Sequence, residues 1–163
     1  MRKIVIGVMG PGESATESDV ENASELGKLI AREGWVLLSG GRDTGVMDAV
    51  NKGAKEAGGL TVGIIPTNNN ENTSKFVDIA IITGMGSARN NINVLSSEVV
   101  IVCGIGTGTA SEAALALKAK KNVVLLTDNI DAKLFFQKLG KEKVMVAESP
   151  KDAIELAKSI ILI

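Results

Sequence analysis

The side chains best suited to chemistry in this chain of 163 residues fall into a few glycine- or arginine-bearing stretches. Gly104, Gly106 and Gly108 alternate with Ile105 and Thr107 and run on into Thr109 and Glu112. The apolar run Val99 to Cys103 precedes them, and an Ala/Leu-rich run to Leu117 follows. A strand, a glycine turn and a helix in that order make an anion site. Orphan N–H groups and the positive end of the helix dipole converge on the turn. Glycines there admit positive φ and let a ligand approach the backbone. Gly104, Gly106, Thr107, Gly108 and Thr109 are therefore candidate ligand-binding residues. The motif lacks the lysine of a P-loop and is one residue short of G-x-G-x-x-G. Glu112 admits two readings. With Thr109 as N-cap it is the third residue of a capping box. Alternatively its carboxylate faces a sugar or a developing cation beside a bound phosphate.

The segment Ser39 to Met47 repeats the strand, glycine turn and helix order. Gly40, Gly41, Arg42 and Gly45 are the candidates there, although tight turns require glycine without any ligand. Asp43 and Thr44 read as helix caps, and Asp48 as a surface charge or dipole partner. Arg89 and Asn90 lie about ten residues upstream of Val99. Arginine offers a planar fork matched to phosphate, while an exposed arginine or an ion pair with Glu112 is the plain structural alternative. Gly10, Gly12 and Ser14 join the candidates by position in the first loop, with Glu13 beside them.

The elements that must position these residues follow from hydrophobic period and turn signals. Strands are predicted at Lys3–Val8, Trp35–Leu38, Leu60–Ile65, Asp78–Ile82, Val99–Cys103, Asn122–Leu126 and Lys143–Val146. Helices are predicted at about Glu17–Glu33, Val46–Ala57, Ala88–Ser96 and Thr109–Leu117. Asp131 is expected to cap a further helix to about Leu139. Ser149, Pro150 and Asp152 supply N-cap, N1 and N3 of the last one. Gly34 is the expected C′ residue of the first helix. The segment Pro66 to Ser74 reads as a polar loop. This alternation predicts a single α/β domain over 1–163, a Rossmann-like, doubly wound, mainly parallel sheet with helices on both faces. Four glycine loops, 9–15, 39–45, 83–87 and 104–108, then share the carboxyl edge of the sheet, where such folds bind ligands.

Composition narrows the function. The chain has no histidine, one cysteine, three Phe, one Trp and no Tyr. The commonest general base and metal ligand is thus absent, no metal site is expected, and base stacking is poorly supplied. Cys103 closes a buried strand and reads as inert core. A net charge of −1 without a basic block gives no nucleic-acid footprint. No apolar run reaches the length of a membrane span, and no signal peptide fits the N-terminus, so a soluble cytoplasmic protein is expected. Val46, Val50, Ile92 and Leu95 look like more apolar surface than one core face needs, which predicts at least a homodimer.

The segment Gly106, Gly108, Thr109, Glu112 resembles the P-G-G-x-G-T-x-x-E signature of the LOG (lonely guy) phosphoribohydrolases, with Gly104 and Ile105 in place of the Pro and first Gly. Gly40, Gly41, Gly45 and Met47 resemble their G-G-G-x-x-G-x-M signature, with Ser39 for the first Gly, and this resemblance adds Met47 to the candidates. Arg89 matches the family's Arg-Lys pair, and Asn90 replaces the Lys. The resemblance spans about Ile4 to Lys120. It implies the SLOG Rossmann superfamily, which the DNA-processing protein DprA distantly shares. The departures look closest to its uncharacterised and molybdenum-cofactor-carrier branch. It further implies binding of a phosphorylated nucleotide-like or pterin-type (molybdopterin) molecule, with no cofactor required. As an enzyme, the chain would cleave the N-glycosidic bond of a nucleoside 5′-monophosphate through Arg89 and Glu112. An interaction protein with a vestigial site is the remaining alternative.

Overall fold

The computed structural model describes residues 2–162. Its centre is a seven-stranded sheet. In chain order the strands are β1 (Val5–Met9), β2 (Val36–Ser39), β3 (Leu60–Ile65), β4 (Ile79–Ile82), β5 (Val99–Cys103), β6 (Val123–Leu126) and β7 (Val144–Val146). Six helices connect them: α1 (Glu17–Arg32), α2 (Gly45–Glu56), α3 (Arg89–Leu95), α4 (Thr107–Lys118), α5 (Ile130–Gly140) and α6 (Pro150–Ile161). The sheet order is β4-β3-β2-β1-β5-β6-β7. Every strand pair is parallel, so the sheet is parallel throughout rather than mainly so.

The chain winds outward from β1 to β4, then returns and starts again with β5 on the other side of β1. The connections out of β1 and β5 therefore diverge and leave a crevice above their carboxyl ends. Both strands are almost wholly buried, as a strand covered on both faces must be. One core layer joins Ile6, Val8, Leu26, Ile30, Val46 and Ile101. The other joins Met9, Val100, Val102, Leu125 and Phe136.

Several local expectations are corrected. Val46 and Val50 are fully buried in the first layer and are not spare surface. Helices α1 and α2 cross closely enough that a Cβ on Gly27 would collide with the Val50 carbonyl, and one on Gly53 with that of Ser24. This close approach buries a wide face of α2. Asn129, not Asp131, caps α5: its side chain accepts from the Ala132 N–H at 2.8 Å. Thr44 is the N-cap residue of α2 but makes no side-chain capping bond. Asp48 is not a free surface charge, for its Oδ1 accepts from the Ser74 hydroxyl at 2.7 Å. That bond belongs to a set that fastens the 66–74 loop onto the β2–α2 turn, with the Ser74 N–H donating to the Gly41 carbonyl. The Ser149, Pro150, Asp152 start of α6 forms as expected, Ser149 Oγ accepting from Asp152 N at 3.1 Å. Gly34 takes φ +71° just beyond the end of α1.

Candidate functional site

The crevice between β1 and β5 opens into a cavity of about 340 Å³, within the range of small-molecule sites. The loop after β1 contributes Gly10, Gly12 and Ser14. The β2–α2 segment contributes Gly40, Arg42 and Met47, and the start of α3 contributes Arg89 and Asn90. The start of α4 contributes Gly106, Thr107, Gly108, Thr109 and Glu112. Thirteen of the sixteen sequence candidates thus meet on one cavity. Gly41, Gly45 and Gly104 do not line it. All three have positive φ, and each is demanded by packing. A Cβ would strike Ile65 and Gly63 at Gly41, the Pro11 and Gly12 carbonyls at Gly45, and the Asp19 carboxylate at Gly104. Val8, Met9, Pro11, Pro66, Gly86 and Ser87 complete the wall and were not among the candidates.

Helix α4 begins at Thr107 with Gly106 as N-cap, and no side chain caps it. The first N–H groups of a helix have no partner within it, so those of Thr107, Gly108 and Thr109 are left to face the cavity rim. The capping-box reading of Glu112 fails for this reason. Thr109 lies inside the helix, and Glu112 is its sixth residue, beyond reach of an N-cap. The corresponding end of α2 is less open, because its Val46 N–H already donates to the Pro11 carbonyl at 3.0 Å.

Glu112 is buried. Its Oε1 accepts from Asn93 Nδ2 at 2.8 Å and lies 4.0 Å from Arg89 Nη1, at the outer limit of ion pairing. Its Oε2 has no partner among the described residues. Burial pushes the carboxyl up to about 7, against the opposing effects of the Asn93 bond and the Arg89 charge. A structural ion pair would hold it low; this carboxyl is instead poised between its two forms at neutral pH.

Arg89 is buried too. Its Nη1 donates to Asn90 Oδ1 at 3.2 Å, while Nε has no partner among the described residues. Burial holds its proton affinity below the usual value, Glu112 opposing and Arg42 reinforcing the effect. The guanidinium lies over Gly40: a Cβ there would come within 2.8 Å of Nη1 and 2.7 Å of Met47 Sδ. Asn90 Nδ2 donates to Ser111 Oγ at 3.0 Å, and Ser111 Oγ donates to the Gly108 carbonyl at 2.6 Å. Asn90 therefore ties Arg89 to the first turns of α4. Cys103 is inert core, its thiol pushed to about 12 by burial and by Asp19. Among the described residues no group of three His, Cys, Asp or Glu is placed to hold a metal ion. None of their helices is long and apolar enough to cross a membrane.

Comparison with known proteins shows the family of the chain. The model of the SLOG cluster4 family matches residues 3–154. The molybdenum cofactor binding protein from Rippkaea orientalis is 61% identical, with a TM-score of 0.98 over 99% of each chain. The molybdenum cofactor carrier protein from Chlamydomonas reinhardtii is 52% identical, with a TM-score of 0.92 over 99% of this chain and 100% of that one. A cytokinin riboside 5′-monophosphate phosphoribohydrolase from Mycobacterium tuberculosis is 37% identical over 95 residues, which span 57% of this chain and 51% of that protein.

Proposed function

The chain belongs to the SLOG cluster4 family, and from that premise we propose that its cavity binds a phosphorylated small molecule of the molybdopterin type and holds it without turnover. The observation that carries this reading is the uncapped N-terminus of α4 opening on a cavity that also holds Arg42 and Arg89. The N–H groups of 107–109 and the helix dipole suit a phosphate, and Arg89 keeps a buried Nε–H without a partner. The unpartnered Oε2 of Glu112 suits the N–H groups of a pterin ring. The two similar proteins named for the molybdenum cofactor support the class of ligand.

The test is to purify the protein from a host that makes molybdopterin, oxidise it in acid and measure pterin fluorescence. About one pterin per chain is expected. Absence of pterin, together with no thermal shift from nucleoside monophosphates or other phosphorylated ligands, overturns the reading. One observation favours hydrolysis as a second reading: Glu112 is a buried carboxyl poised near neutrality beside the anion site. A carboxylate so placed stabilises oxocarbenium character as an N-glycosidic bond breaks. Release of ribose 5-phosphate from a nucleoside 5′-monophosphate selects this reading, and its absence selects the binding protein.

We also propose a homo-oligomer. Strand β4 forms one edge of the sheet, and its Ile79, Ile81 and Ile82 are 47%, 45% and 42% exposed. The strand itself contains neither lysine nor proline, two of the residues that blunt exposed edges. The opposite edge, β7, is three residues long and follows Lys141 and Lys143. Light scattering at micromolar concentration is expected to give a dimer or larger species; a monomer refutes the proposal.

A further inference from the structure

Asn93 was not legible as a functional residue, yet it holds a carboxyl group that lines the cavity. It lies on α3, one turn beyond Arg89, and is fully buried. Its backbone carbonyl accepts from the Ser97 hydroxyl at 2.8 Å, which fixes the main chain there. Its side chain makes one bond, from Nδ2 to Glu112 Oε1 at 2.8 Å, and Oδ1 has no partner among the described residues. A buried amide oxygen left unpaired costs free energy, so its persistence calls for a reason.

The reason lies in the two faces of an amide. With Nδ2 toward Glu112, Asn93 serves an ionised carboxylate. Turned half a revolution about χ2, a torsion with broad, roughly two-fold preferences, it presents Oδ1 and accepts a hydrogen bond from the O–H of a neutral carboxyl group. In each orientation one amide atom bonds Glu112 and the other stays unpaired, so the turn itself loses no bond. An aliphatic residue would serve neither form, and a lysine or an acid would favour one.

We infer that Asn93 is a positioning residue that keeps Glu112 aimed into the cavity in both protonation states, so that an anion binding at the N-terminus of α4 takes up a proton on Glu112. The anion half of this inference rests on the binding function proposed above. The groups facing Glu112 agree with it. Arg89 on α3 is the cation 4.0 Å away, Arg42 on the β2–α2 turn acts on Arg89, and Asn93 is the hydrogen-bond donor. An arriving anion competes with Glu112 for the positive field of Arg89 and of the helix terminus, so the carboxylate discharges by binding a proton from solvent. A phosphorylated ligand would then be held more tightly as pH falls through neutrality and released as it rises.

Sulfate is the suitable probe, because it does not itself titrate between pH 5 and 9. Calorimetric titration at pH 7.5, in two buffers of different ionisation enthalpy, is expected to show net proton uptake on sulfate binding. Glu112→Gln should bind sulfate with no uptake. The positioning role is tested without ligand, in the intact protein, by NMR. The Asn93 side-chain N–H resonances are expected to titrate with the same midpoint as the Glu112 carboxyl carbon, identified by its loss in Glu112→Gln. In Asn93→Leu that carboxyl midpoint should rise, since the bond lost from the ionised form is stronger than the bond lost from the neutral form.

Asn93 resonances that ignore the Glu112 titration overturn the positioning role, and they do so even where Asn93→Leu fails to fold. Sulfate binding without proton uptake in wild type overturns the coupling. Absence of sulfate binding with co-titrating Asn93 and Glu112 overturns the coupling and the anion site while leaving the positioning role standing.

Discussion

Glu112→Gln is expected to make the ligand-free protein more stable than wild type at pH 8, by about 3 kcal/mol, and no more stable at pH 4. An unfolded glutamate titrates at its ordinary value of 4.5, whereas burial pushes the folded one up to about 7. A group whose folded value is raised favours folding while it is protonated. Its contribution is complete below about pH 4.5 and is lost as pH rises through about 7. The amide introduced by Glu112→Gln would resemble the protonated form at every pH and keep an acceptor for Asn93 Nδ2. The gap between the two proteins should therefore open across the window from pH 4.5 to 7 and stay constant above it. Urea denaturation of both proteins at pH 4, 6 and 8 measures it. Equal stability at pH 8 would mean that the carboxylate is better solvated or better paired than its surroundings indicate. A gain on removing a native charge is what a carboxylate kept for function predicts, since functional sites commonly hold groups that do not suit folding. The same substitution would have been nearly silent had Glu112 only closed a capping box.

Glu112 also shows why part of the site was legible in the residues and part was not. The strands could be read because β5 and its neighbours are runs of Val and Ile covered on both faces, and such runs have few alternatives. The glycine loops could be read because each follows a strand and feeds a helix, and one sheet edge collects all such turns. The start of α4 was misplaced by two residues for a definite reason. T-x-x-E is a strong local cap signal, and it drew the boundary to Thr109, whereas the chain enters the helix at Gly106 and Thr107. The helix starts before the cap signal, and Glu112 bonds Asn93 on α3 instead of an N-cap N–H. The surplus of apolar residues on α2 had a similar origin. Counting Val46 and Val50 against one face ignores that Gly27 and Gly53 draw α1 and α2 together. Asn93 carried no motif. Its one available sign was its i+4 spacing from Arg89, which puts both on one face of α3, and that sign gains meaning only once Glu112 is known to lie opposite.

Arg89→Met should weaken phosphorylated ligands far more than Arg42→Met, and the contrast follows from burial. Arg89 is 8% exposed, with Nε unpartnered and Nη1 steered by Asn90. The cost of desolvating it is already met in the free protein, so a phosphate meeting it gains a charge-assisted bond at little further cost. Such a bond contributes about 1.5–3 kcal/mol, so the dissociation constant of a nucleoside monophosphate or molybdopterin-type ligand should rise by roughly 10- to 150-fold. Arg42 is only partly buried, and solvent screens it. Its removal should cost under about 1 kcal/mol. Arg89→Met has a second consequence that a merely weakened site would lack. The Arg89 charge is one of the two influences that hold Glu112 down. Without it the Glu112 midpoint must climb above 7, so the carboxyl becomes neutral at physiological pH. Calorimetric titration of the two variants gives the affinities, and carbon NMR of Glu112 gives the midpoint. Equal losses of affinity from Arg89→Met and Arg42→Met would mean that the ligand meets the rim of the cavity rather than its wall. An unmoved midpoint in Arg89→Met would mean that the 4.0 Å gap between Arg89 and Glu112 carries no coupling.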